Sequence, residues 1–125
     1  MDEWMLRLHG LRYDDAEYGA KAADCQELIW DTASQVLATG VDVVLDWSLW
    51  SRDRRARWRQ RAEAHGWRVV LHYVDVEPEV AISQAASRTA ANTHEIDEDA
   101  VRHMVDLLEP PTDDEGIEIV RHGRQ

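Results

Sequence analysis

The stretch Arg68-Val69-Val70-Leu71-His72-Tyr73-Val74-Asp75-Val76 decides the fold. It is a short apolar run, rich in β-branched residues, that closes beside an acid. Such a run reads as a buried parallel strand rather than an alternating, half-solvated one. Upstream, Val41-Asp42-Val43-Val44-Leu45-Asp46 has the same character and also ends on an aspartate. Between the two runs lies an arginine-rich segment, Arg52 to His65, with Ser51 placed to cap its start and Gly66 to stop it. Before the first run, residues 15–39 read as a helix, since Leu28, Ile29, Thr32, Val36 and Leu37 recur at spacings of three and four. Asp14 or Asp15 could cap this helix, and Gly40 follows its last turn. Beyond the second run, Pro78 opens a helix reaching about Ala91. A polar connection follows at Asn92–Glu95. A further helix over Asp97–Leu108 places Ala100, Val101, Met104, Val105 and Leu108 on one face, and Pro110-Pro111 ends it. Glu115–His122 reads as a short last strand. Helices alternating with apolar runs predict an α/β fold, a parallel sheet flanked by helices in three layers. Ligand groups in such sheets gather at the carboxyl ends of the strands, where Asp46 and Asp75 stand.

Composition sets the bounds on this reading. The 125 residues make one domain's worth of chain, so a single domain over 1–125 is expected, and 44% hydrophobic residues suffice for a core. No apolar run approaches the ~20 residues needed to cross a bilayer. Met1-Asp2-Glu3-Trp4 is not the basic start of a signal peptide, so the cytoplasm is the expected location. Cys25 stands alone, as a small apolar residue. A net charge of −11 argues against broad binding to nucleic acid or to anionic membrane. The arginines at 52, 54, 55, 57, 59 and 61 would spread around most of a helix's circumference, which describes a solvated face rather than a nucleic-acid stripe. Ala56, Ala62 and Trp58 are left to face the sheet. His72, His94, His103 and His122 lack the i, i+4 spacing and partner carboxylates of a metal site, so no metal ligands are expected among them.

Three segments together resemble one family. They are Asp2-Glu3-Trp4-Met5; then Val43-Val44-Leu45-Asp46 with Ser48, Leu49, Trp50, Ser51, Arg52 and the pair Arg54-Arg55; then His72-Tyr73-Val74-Asp75-Val76 with Pro78-Glu79-Val80, Arg88 and Glu109-Pro110-Pro111. Their order is similar to that of small P-loop kinases of the AAA-domain ATP-binding type, relatives of zeta toxins and of phage polynucleotide kinase. The resemblance implies a P-loop-kinase-like three-layer sheet and the use of ATP with Mg²⁺. It also implies a hydroxyl acceptor on a small molecule or nucleic-acid end. Asp2 matches the carboxylate that takes the proton of the attacking hydroxyl, and Arg88 the lid arginine that neutralises the transferring phosphoryl group. Asp46 and Ser48 match residues beside the acceptor, while Leu49 and Trp50 make that pocket less polar. Gln84 stands where the family often carries a second lid arginine.

The same resemblance implies a departure. Family members begin with a strand and a glycine-rich loop whose amides and lysine hold the nucleotide's phosphates. No stretch of these residues matches G-x-x-x-x-G-K-[ST], and the single lysine, Lys21, sits in a helical pattern. The expectation is therefore an N-terminally truncated kinase-like chain, inactive alone and binding no nucleotide. The alternatives are a non-catalytic fragment or pseudoenzyme serving as a binding module, or a start codon lying further upstream. The family's first strand lies between those matching Val41–Asp46 and Val69–Val76. Without it the two would either close up and pair directly or present open edges that recruit another chain, so a marginal monomer or an oligomer self-associating through those edges is expected.

Overall fold

A computed structural model of the chain describes residues 1–87 and 98–123, with Asp2 described by its backbone alone. These residues gather into two compact units, one running from Met1 to Trp47 and the other beginning at Ser48.

The first unit is helical. Helix α1 spans Asp2–His9 and α2 spans Tyr18–Leu37. Helix α1 is built from good helix formers, carries a Glu3–Arg7 pair one turn apart at 3.2 Å and ends at Gly10. Asp2 therefore opens a helix and does not end a strand, a correction to the resemblance-based expectation. Met5 is fully enclosed against Ala22 and Cys25, with Met1, Leu11 and Tyr18 packed around them. The buried residues of α2 are Ala22, Cys25, Trp30 and Ala33, whereas Leu28 of the expected stripe is exposed. Small residues at 22 and 25 let the side chain of α1 approach closely. Glu17 holds the N-cap position of α2, while Asp15 accepts the Arg12 backbone N–H in the preceding turn.

Val41–Asp46 is not a strand. Val41 and Val44 are open to solvent, Val44 at 89% exposure, while Val43 and Leu45 are half-buried. A strand exists only where a neighbour takes its N–H and C=O groups. The described residues of this unit contain no second strand to supply them.

The second unit is mixed. It runs through α3 (Arg52–Glu63), β1 (Val70–Val74), α4 (Pro78–Ser87), α5 (Glu98–Leu107), a single 3₁₀ turn (Asp113–Glu115) and β2 (Glu118–His122). Ser51 caps α3 as expected: its backbone is extended and its hydroxyl accepts the Arg54 N–H at 3.2 Å. Pro78 begins α4. The sheet is the parallel pair β1–β2, in register from Val70 opposite Glu118 to Val74 opposite His122. Asp75 follows β1, as the strand reading requires, and its N–H donates to the His122 carbonyl at 2.9 Å. Helices α4 and α5 pack together and are bridged by Arg102, which reaches Glu79 at 3.2 Å and Glu98 at 2.7 Å. Of the apolar face expected on α5 only Val101 is buried; Met104, Val105 and Leu108 are exposed. The fold class that stands is thus a helix-and-sheet arrangement with a small parallel sheet, compatible with α/β.

Candidate functional site

Helix α3 has no apolar stripe, yet it organises the most constrained region of the second unit. The helical period places Arg52, Arg55 and Arg59 along one side. Arg55 is 3% exposed, the opposite of the solvated position expected for it. Its Nε and Nη2 donate to the two oxygens of Glu115, each at 2.7 Å. Its Nη1 donates to the carbonyls of Leu49 at 3.0 Å and Glu109 at 2.9 Å. The fork geometry of guanidinium makes this possible, because one planar group can serve a carboxylate on one edge and carbonyls on another.

Glu115 is fixed in turn by local chemistry. Thr112 and Glu115 form a capping box over the 3₁₀ turn, with the Thr112 N–H donating to Glu115 Oε1 at 3.0 Å. The hydrogen bond from Arg55 holds the Glu115 carboxyl below its ordinary pKa, against the opposing effect of burial. Arg52 grips Asp114 at 2.9 and 3.2 Å. That hydrogen bond, together with one from Thr112, lowers the exposed Asp114 carboxyl to about 2. Arg59 donates to the Glu115 carbonyl. Gly116 comes next with φ +69°, so the backbone calls for glycine, and a Cβ there would displace the tip of Arg59, whose Nη1 it would meet at 2.5 Å. Arg52, Ala56, Arg59, Asp114, Glu115 and Gly116 line a cavity of about 200 Å³. The remaining α3 arginines lie over indoles, Arg54 on Trp50 at 4.4 Å and Arg61 on Trp58 at 4.7 Å.

The residues expected from sequence sit elsewhere. Asp46 is exposed in the first unit. Ser48 is half-buried in the second, and its carbonyl lies 3.5 Å from Arg54 Nη1. Asp2 is the first residue of α1, and Arg88 falls outside the described residues. Sequence reasoning missed the Arg55–Glu115 centre. The signal that could have found it is Thr112-Asp113-Asp114-Glu115, a capping-box pattern directly after a double-proline stop.

A family model described as an AAA domain matches residues 1–111. The chain belongs to the AAA domain family. Membership places it among proteins of the P-loop NTPase type, whose common ligands are nucleotide and Mg²⁺. No curated protein and no solved structure matches the chain. In this AAA domain the starts of α2, α3, α4 and α5 are either engaged internally or flanked by acids. The N-terminal amides of α3 are taken internally: Arg52 N–H donates to the Glu109 carboxylate at 2.7 Å and Arg54 N–H to Ser51. Acids crowd the starts of the other long helices, with Asp14, Asp15 and Glu17 before α2, Glu77 and Glu79 at α4, and Glu98 and Asp99 at α5. Among the described residues, no helix is long and apolar enough to cross a membrane.

Proposed function

We propose that this AAA domain carries the acceptor and lid side of a kinase-type phosphotransferase and does not itself hold Mg·ATP. The observation that supports this is the internal neutralisation of α3. Its arginines and its first amides are engaged by Glu109, Asp114 and Glu115, groups that occupy the places an anionic ligand would need. The kinase assignment rests on the resemblance of three segments. In that reading Asp2 serves the attacking hydroxyl of a small molecule or nucleic-acid end, Asp46 and Ser48 meet the acceptor, and Arg88 faces the transferred group. The domain unit is the whole chain, located in the cytoplasm, with self-association through the outer edges of the β1–β2 pair.

Calorimetry of the 125-residue chain with Mg·ATP tests the proposal. No heat of binding is expected at sub-millimolar nucleotide. A dissociation constant in the low micromolar range would sink it.

A second reading, a non-catalytic binding module, is favoured by the same enclosed arginine centre, which acts as a strut. The reading frame ahead of Met1 separates the two. A Gly-Lys-Ser loop encoded there, in a longer chain that binds Mg·ATP, supports the kinase; a frame without one supports the module.

A further inference from the structure

His72 and His122 are 50 residues apart in sequence, yet His72 Nδ1 and His122 Nε2 lie 2.9 Å apart. Spacing along the chain cannot reveal such a pair, because the parallel register creates it. His72 stands opposite Val120, and His122 opposite Val74. Residues two apart share a face of a sheet, so the histidines are diagonal neighbours on one side of β1–β2. Their rings run nearly parallel, 18° apart with centroids at 5.2 Å, and both side chains are exposed. His122 closes β2, at the carboxyl end where parallel sheets place their ligands.

The geometry points to a two-histidine site for a divalent transition-metal ion on this face. Imidazole nitrogens bind such ions at about 2.0–2.1 Å. Two bonds of that length at about 90° span about 2.9 Å, and at the tetrahedral angle about 3.3 Å. With the ring centroids 5.2 Å apart, the two nitrogens point at each other along one line, as in a hydrogen bond, so an ion is held once both exposed rings turn off that line. The short separation then suits the right-angled geometry of Cu²⁺ or Ni²⁺, while Zn²⁺ also requires the rings to part slightly. Binding needs both facing nitrogens as lone pairs. The ring that donates in the hydrogen bond moves that proton, through water, to its own other nitrogen, so neutral rings bind without net proton release. Surrounding charge permits a cation. Arg121 lies on the opposite face, 5.8 Å over the Tyr73 ring, and Arg68 is tied to Glu118. Water completes the coordination, since no cluster of three or more histidine, cysteine or acidic ligands occurs among the described residues.

The test is calorimetric titration of the full chain with Ni²⁺, alongside the His72→Ala, His122→Ala and His103→Ala variants. One site per chain is expected. Either of the first two changes should weaken it by at least about tenfold, the scale on which even outer contacts of metal sites act. His103→Ala, on exposed α5, should leave it unaltered. Equal Ni²⁺ affinity in all variants would overturn the site, as would variants that change only the melting temperature of the metal-free chain. A readout independent of substitution is electron paramagnetic resonance of the unaltered chain with one equivalent of Cu²⁺. Hyperfine splitting from two imidazole nitrogens is expected, and splitting from one or none refutes the pair.

Discussion

Met5 in the first unit and Arg55 in the second are both almost wholly enclosed, at 0% and 3% exposure, by opposite means. Met5 is surrounded by Ala22 and Cys25, which ask nothing of it but volume. Burying such a side chain contributes about 1.5–3 kcal/mol with no requirement on direction. Arg55 brings a charge out of water at a cost of several kcal/mol, which only near-complete hydrogen bonding offsets. It finds Glu115 on one edge and two carbonyls on the other. The first unit is therefore forgiving in detail and modest in strength. The second is specific, and any partial loss leaves an unpaired charge behind.

The sharpest way to break the comparison is Arg55→Ala. It strands Glu115 and two carbonyls, and a loss of about 3–5 kcal/mol is expected in chemical denaturation. Arg55→Lys should recover little, because an ammonium cannot reproduce the fork. Hydrogen exchange should show the loss in α3 and β2 and leave α1 and α2 protected; uniform loss across both units would erase the distinction.

Met5→Ala should act less strongly and in the other unit. About 2–3 kcal/mol is expected, toward the low end for such truncations, because the small side chains at 22 and 25 leave little to hold a cavity open. Faster amide exchange confined to α1 and α2 is the readout.

Acid gives the smallest and most graded contrast. Glu115 and Asp114 both have folded pKa values below their ordinary ones, 4.5 and 3.8, with Asp114 near 2. A depressed carboxylate stabilises fully above its ordinary value and loses that contribution as pH falls through the folded one. Protection of the second unit should decline between about pH 4.5 and 2, ahead of the Met5 core, which contains no carboxylate. Simultaneous loss in both units would remove the carboxylates from the explanation.

The features legible in sequence are those fixed within a few residues. Ser51 and Pro78 announce the starts of α3 and α4, and β1 falls within its apolar run. Val41–Asp46 misleads because it satisfies every local criterion for a strand and lacks only a neighbour. Asp2–Met5 misleads in the opposite sense: placed at a strand end by resemblance, it follows its own helix-forming residues and the stop at Gly10. The site was less legible still. Glu115 and Arg55 are 60 residues apart, and the usual reading of a polar helix as a solvated one hides a buried cation. Only the capping box at Thr112 marks Glu115 as held in place.

The parallel pairing of β1 with β2 also governs how the chain acquires its structure. Antiparallel strands can meet across a tight turn, but Val70 and Glu118 can meet only after the intervening chain, including α4 and α5, has been gathered in. The entropy of closing that loop is lost before the ladder gives anything back. Helices α1 and α2, joined by a short turn, face no such delay. Folding should therefore be sequential in time, with the Met5 core forming early and the Arg55–Glu115 lock and the sheet closing together in a slower phase.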